Sequence, residues 1–499
     1  MDQTTATNGS PVPPLGKGRD GGSLSASAQP NPPPAGEGVS GSSPPAGHGV
    51  HGWPSAAGTK VADHRALRFL TAGSVDDGKS TLIGRRLYDS RGILKDQLAA
   101  LARAAARRPG TDPAAGPASL DLSLLTDGLE AEREQGITID VAYRYFATAQ
   151  RKFIIADTPG HEQYTRNMVT AATTADAAVI LIDATRVRNG ELLAQTRRHA
   201  ALAHLLGIRQ VAVAVNKMDR LGFDRDAFEA IVAAYRELAA RLGAGAFTAI
   251  PVSALDGDNI VASSARLPWY AGPTLLAWLE SAPSEIDAMR GAEAPFRFPV
   301  QLALRGFDLE GGGARGYAGR VASGSVRVGA EVRVQPGGGA ARIASIETHD
   351  GRLGEAFTGQ SVSLRLDREL DVSRGDLIVA AASPARLASR FEADLAWLDD
   401  EPARPGARLW LRHGARNVPA RVRRVDRVLD LQRVEWRDAA PADAVLARND
   451  IARVEIETQR PLAIDAYDAV RAGGAFVLVD TVTHRTVAAG MIRGVGPGD

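Results

Sequence analysis

The chain has 499 residues, with 59 Lys and Arg against 58 Asp and Glu, for a net charge of +1. That balance excludes a chain-wide basic surface for nucleic acid, and the absence of cysteine excludes disulfides, thiolate metal sites and iron–sulfur clusters. No window of about 18 apolar residues occurs, and residues 1–20 hold no apolar core of secretory length, so a cytoplasmic chain without membrane contact is expected.

Residues 1–63 are rich in Gly, Pro, Ser and Ala and poor in large apolar side chains. Such a segment cannot offset its ordering entropy by burial, which predicts a disordered tail; a partner-binding tail is the other reading. From Leu67 the pattern changes. RFLTAG (68–73) reads as a short buried strand and KSTLIGRRLYDS (79–90) as a helix. Between them Gly73, Ser74, Val75, Asp76, Asp77, Gly78, Lys79 and Ser80 match G-x-x-x-x-G-K-[ST], with Thr81 next. A strand before and a helix after is the context this phosphate loop needs. The glycines let the backbone turn its N–H groups toward phosphate oxygens, and the helix N-terminus adds its dipole. Lys79 is expected on the β- and γ-phosphates and Ser80 on Mg²⁺.

A chance match in so glycine-rich a chain has odds of roughly one in a hundred, from the chain's own residue frequencies. Lysine is scarce here: only Lys17, Lys60, Lys79, Lys95, Lys152 and Lys217 occur. A chain that uses arginine for general positive charge has kept a compact point charge at Lys79.

Further along, Asp127 begins DGLEAEREQGITIDV, where Thr138 within Gly136–Ile139 has the setting of a first switch. Its hydroxyl would reach Mg²⁺ while the γ-phosphate is present. An edge strand after a charged helix is the plainer reading. KFIIADTPG (152–160) is a strand and turn. Asp157 at the strand end suits water-mediated Mg²⁺ coordination, Thr158 and Pro159 form the turn, and Gly160 can give its N–H to the γ-phosphate. His161, otherwise a surface histidine, is the candidate for orienting the attacking water.

Ala177–Asp183 is an apolar strand, and Gln210–Val215 runs into Asn216, Lys217, Met218 and Asp219. The Asp219 carboxylate can accept from guanine N1 and the 2-amino group. Adenine offers neither donor, so the carboxylate selects GTP. The Lys217 stem can lie over the base. Ala246–Pro251 leads to Ser253, Ala254 and Leu255, a weak signal alone, which in this position supplies a backbone N–H to the guanine oxygen. Short apolar runs alternating with helices such as Asp226–Leu242 predict a mostly parallel sheet with helices on both faces, over 64–288. All five elements fall at its carboxyl edge, where such sheets bind ligands.

After about 290, short strands, valine alternation and glycine turns predict two antiparallel β-barrels, 289–400 and 401–499, with a break at Glu401–Pro405. The expected fold is thus an α/β P-loop GTPase domain followed by two β-barrels.

The order of parts resembles the elongation factor Tu and 1-alpha group. The wording GSVDDGKSTLIGR, LTDGLEAEREQGITIDVAYRYF, RKFIIADTPGHEQYTRNMVTAATTAD and QTRRH is similar to the GTP-binding (CysN-type) subunit of bacterial sulfate adenylyltransferase. So are RGYAGRVASGSVRVG, RFEADLAW, HGARNVPARV and VLVDTVTHRTVAAGMIR in the barrels, which translation factors do not share. The resemblance covers about 64–493. It implies a GTPase that drives adenylyl transfer from ATP to sulfate on a separate small subunit of CysD type, in a heterodimer or higher assembly. The products are adenosine 5′-phosphosulfate and pyrophosphate. No residue of this chain is assigned to sulfate or ATP, and no second phosphate loop for a fused kinase occurs. Two stretches depart from the pattern: ATRVRNGELLAQTRRH after Asp183 is about four residues longer, and RRPGTDPAAGPASLDLS (107–123) is looser. Neither falls within the five elements, so nucleotide contacts are expected to survive both. The rival reading, a factor delivering aminoacyl-tRNA, would use basic barrel patches such as RVRRVDR (421–427). That string reads more simply as a strand with one solvated face, and no nucleic-acid partner is expected. A scaffold with a dead GTPase fold is disfavoured by the full set of motifs.

Overall fold

A computed structural model describes residues 66–89, 140–161, 165–188, 190–284, 294–304, 315–403, 406–440 and 445–495. The tail, the first switch with Thr138, and the 107–123 stretch lie outside the described residues.

The first sheet has the order β2-β3-β1-β4-β5-β6. Its strands are β1 (Leu67–Ala72), β2 (Ala142–Ala147), β3 (Lys152–Asp157), β4 (Ala177–Asp183), β5 (Gln210–Asn216) and β6 (Thr248–Pro251). All pair in parallel except β2, which runs antiparallel to β3 at the edge. Side chains alternate between faces, and both faces are covered. Phe69, Ile155, Val179, Leu181, Ala212 and Ile250 meet α1 (Lys79–Asp89) and α5 (Leu275–Ser281) on one side. The opposite face carries α2 (Thr165–Ala172), α3 (Ala194–Leu205) and α4 (Arg225–Leu242). Every residue of β4 is buried, which explains why it reads as an unbroken apolar run. Helix α4 is punctuated as its sequence dictates: Asp224 caps its N-terminus by accepting from Asp226 N–H, and Gly243 ends it at φ +64°.

Two closed sheets follow. In the first, β10 (Glu331–Gln335), β15 (Leu377–Ala380), β7 (Arg297–Leu304), β8 (Gly316–Arg320), β14 (Ser361–Leu366) and β11 (Ala340–Thr348) form a ring closed by β10–β11 pairing. In the second, β17 (Arg408–His413), β21 (Ala475–Asp480), β22 (Thr486–Val495), β16 (Arg386–Trp397), β20 (Ile451–Ile464) and β18 (Arg416–Asp430) close through β17–β18. Of the short strands, β9 (Ser325–Arg327) and β13 (Glu355–Phe357) pair with each other, β12 (Gly351–Leu353) pairs with β11 and β19 (Glu435–Asp438) with β18. Strand β16 pairs with β20 and β22, so the expected break at Glu401–Pro405 falls inside this second ring. Alternation identifies β16 as a strand; only its distant partners decide which ring it joins.

The RVRRVDR string lies in β18 with exposed arginines, as its alternation predicts. Those arginines are paired: Arg421 with Glu457, Arg423 with Glu455, Arg424 with Asp426 and Arg427 with Asp438.

The rings are tied to each other by Arg297–Asp465 and Arg416–Asp376. The second ring also packs on the sheet-covering helices. Arg471 donates to Ala172 O at the end of α2, and Arg493 to Leu205 O at the end of α3. Cations at helix C-termini complement both the free carbonyls and the dipole. Among the described residues no helix is long and apolar enough to cross a membrane.

Candidate nucleotide-binding site

Four loops leave the carboxyl ends of β1, β3, β5 and β6 and converge. The first, residues 73–78, curls back on itself. Asp77 Oδ2 accepts from Ser74 N–H at 2.6 Å, and Lys79 Nζ donates to Gly73 O and Ser74 O, both at 2.8 Å. Gly78 has φ +92°, and a Cβ there would stand 2.4 Å from Asn216 Nδ2, so only glycine fits. Ser80 and Thr81 lie in the first turn of α1, partly exposed, behind the half-buried Val75 and exposed Asp76.

From β3, Asp157 is buried and accepts from Thr71 Oγ1 at 3.0 Å. Thr158 Oγ1 donates to Thr71 O at 2.6 Å, pinning the turn to β1. Pro159 is buried, and Gly160 approaches the first loop closely. A Cβ on it would lie 2.6 Å from Lys79 Nζ and 2.8 Å from Gly73 O. His161 follows at the surface.

From β5, Asn216 joins three loops. Its Nδ2 donates to Asp77 O at 2.8 Å and its Oδ1 accepts from Ala254 N–H at 2.9 Å. Lys217 holds a left-handed φ of 63° and donates to Asp183 Oδ2 at 2.7 Å. Asp76, at φ 67°, is a second non-glycine residue held left-handed here, in keeping with strain gathering where ligands are clamped. Met218 is fully buried, anchoring the loop, and leaves the Asp219 carboxylate partly exposed beside Arg220. After β6, Ser253 Oγ accepts from Asp256 N–H, while Leu255 is exposed with its carbonyl held by Arg85.

The electrostatics follow from burial. Desolvation holds the Lys79 ammonium below the ordinary lysine range, against the pull of Asp157, Asp77 and Asp76. It also pushes the Asp77 carboxyl up to about 6, and lowers buried His199 to about 3, with Lys79 and Arg198 adding repulsion.

The glycine cradle, the buried lysine and the acceptor-only Asp219 are the chemistry a guanine nucleotide requires. For a metal, the hydroxyl of Ser80 and the carboxylate of Asp157 are oxygen donors of the type Mg²⁺ takes. Three further contacts carry no motif. Gln195 Nε2 donates to Gly160 O at 3.3 Å from α3. Asp183 caps the short turn Ala184–Arg186 while holding Lys217. Arg186, in the stretch after β4, donates to Val75 O at 2.6 Å, which ties that stretch to the first loop. Only the apolar run ending at Asp183 marks the place in sequence.

Residues 64–284 match the model of the elongation factor Tu GTP-binding domain, and residues 390–493 that of the GTP-eEF1A C-terminal domain-like family. The chain is 50% identical over 433 residues to sulfate adenylyltransferase subunit 1 of Laribacter hongkongensis, covering 86% of each chain. It is 48% identical over 427 residues to the bifunctional enzyme CysN/CysC of Mycobacterium tuberculosis, with 85% of this chain and 67% of that one covered. Against the bifunctional enzyme NodQ of Rhizobium meliloti it is 49% identical over 426 residues, and spans 63% of that protein's length.

Proposed function

The chain belongs to the sulfate adenylyltransferase subunit 1 family of translation-factor-type GTPases, and we propose that it binds GTP with Mg²⁺ and hydrolyses it to drive adenylyl transfer from ATP to sulfate on a small, CysD-type partner subunit. The observation that carries the nucleotide reading is the convergence of four loops: those after β1 and β3 meet at Lys79, and Asn216 knits the first to those after β5 and β6.

In this reading Asp219 accepts from guanine N1 and the 2-amino group, and the Lys217 stem covers the base. The Ala254 amide is engaged with Asn216, so the Leu255 amide is assigned to the guanine oxygen. Lys79 turns from the carbonyls of Gly73 and Ser74 to the β- and γ-phosphates, joined by backbone N–H groups of the loop other than those of Ser74 and Asp77, which are engaged within it. Ser80 and Asp157, with Thr138, would hold Mg²⁺. When bound, the ion would supply neutralisation of the charge that develops on the transferring phosphoryl group. The Gly160 N–H meets the γ-phosphate, and His161 beside it orients the water that attacks γ-phosphorus. The bond to the β,γ-bridging oxygen breaks, giving GDP and phosphate. The uphill formation of adenosine 5′-phosphosulfate and pyrophosphate is coupled to that step across the subunit contact.

The test is GTP turnover by the full chain with a sulfate adenylyltransferase small subunit, or with ribosomes. The proposal expects stimulation by the small subunit together with GTP-dependent adenosine 5′-phosphosulfate formation. Stimulation by ribosomes alone would assign the chain to translation.

A further inference from the structure

The one buried carboxylate of the phosphate loop has an oxygen with no hydrogen bond. Asp77 is 0% exposed; its Oδ2 is satisfied by Ser74 N–H, but Oδ1 has no hydrogen-bond partner. A buried anion half-satisfied in this way is costly unless a cation stands close. Two are near. Lys79 is on the same loop, and Arg186 Nη1 lies 3.6 Å from Oδ1 while donating to Val75 O at 2.6 Å. Lys79 is committed to phosphate oxygens in the hydrolytic reading. Arg186 has no such duty.

Arg186 is itself held in place. It ends the short turn Ala184–Arg186, whose start is capped by Asp183. Oδ1 of that carboxylate accepts from Thr185 N–H at 2.9 Å and Thr185 Oγ1 at 2.7 Å. The other oxygen holds Lys217. A continuous line of contacts thus runs from the base-side lysine through Asp183 and the turn to the carbonyl and carboxylate at 75–77.

We propose that Arg186 is a positioning residue of the phosphate loop: it spans the 75–77 turn, bonds the Val75 carbonyl and compensates the buried Asp77 carboxylate, so that the loop is already curled when nucleotide arrives. The inference rests on residues 73–80 being the phosphate loop. A preformed loop lowers the ordering cost of binding, so the effect belongs to affinity and not to the chemical step.

The experiment is titration of the full-length chain with N-methylanthraniloyl-GTP, together with kcat at saturating GTP, for wild type, R186A, R186Q, R186K, D77N and R186A/D77N. R186A is expected to weaken binding roughly tenfold, the size of one charge-assisted contact, with kcat changed less than about twofold. R186K keeps the charge and recovers most of the affinity. R186Q keeps a donor for Val75 without charge, falls between, and stands in for R186A should that variant melt early. In the D77N background, adding R186A should cost less than about threefold, because the anion it compensates has gone. Unchanged affinity in R186A, an equal loss in both backgrounds, or a fall in kcat at unchanged affinity would each overturn the inference. Wild-type chain that binds no GTP would overturn the phosphate-loop reading as well; wild-type binding matched by R186A overturns the inference alone.

Discussion

Asn216 Nδ2 donates 2.8 Å to the carbonyl of Asp77, 139 residues away in the chain, while its Oδ1 accepts from Ala254 N–H. One buried amide therefore fixes the phosphate side of the site relative to the base side. Asn216→Ala leaves a buried carbonyl and a buried N–H without partners, each costing about 1–3 kcal/mol. The expected outcome is a lower melting temperature and GTP affinity reduced about a hundredfold. Calorimetric titration and a thermal melt check both; a variant that melts early yet binds normally would deny the linking role.

The base-side carboxylate predicts a change of nucleotide. Asp219→Asn replaces an acceptor by a group that can donate, which suits the 2-oxo group of xanthine. GTP affinity should fall at least about a hundredfold while XTP affinity rises, because a site built for a polar partner rejects its mismatch strongly. Competition of both nucleotides against labelled GTP measures this.

His161→Ala should leave GTP affinity within about threefold and reduce turnover by about a hundredfold or more, the range for losing a group that positions or moves a proton. Gly160→Ala tests the neighbouring position. Its Cβ would stand 2.8 Å from the Gly73 carbonyl, backbone that cannot yield cheaply, so the turn must shift and GTP should lose its advantage over GDP. Equal turnover in His161→Ala and wild type would remove the histidine from the mechanism.

Asp77 predicts a pH dependence. Burial pushes its carboxyl up to about 6 from 3.8, opposed by Lys79, the Ser74 N–H and Arg186. Between about pH 4 and 6 the folded chain retains a proton that the unfolded chain has released. The contribution of Asp77 to stability therefore falls as pH rises through that window and stays low above it. Asp77→Asn should be stabilised relative to wild type by on the order of 2–3 kcal/mol at pH 7.5 and by little at pH 4. Paired denaturation curves at the two pH values measure this; a difference independent of pH would contradict it.

Much of the site was legible because its chemistry restricts residue types at strand ends. Lysine at 79 in a chain that avoids lysine, glycine at 78 and Asn216 ending an apolar strand each have few physical alternatives. What the sequence hid depends on distant partners. Arg186 reads like any exposed arginine until β4 brings it to Val75. The same holds for Arg471 and Arg493, whose helix-end carbonyls lie 299 and 288 residues away. Strand β16 shows its own period but not its neighbours, so the ring it joins is not legible in the sequence. Thr138 lies outside the described residues, and its role rests on the motif alone.

The most direct measurement is equilibrium binding of labelled GTP and ATP to the purified full-length chain with Mg²⁺. GTP should be held at least about a hundredfold more tightly than ATP, with the preference lost in Asp219→Ala. Equal retention of both nucleotides, or of neither, would contradict it.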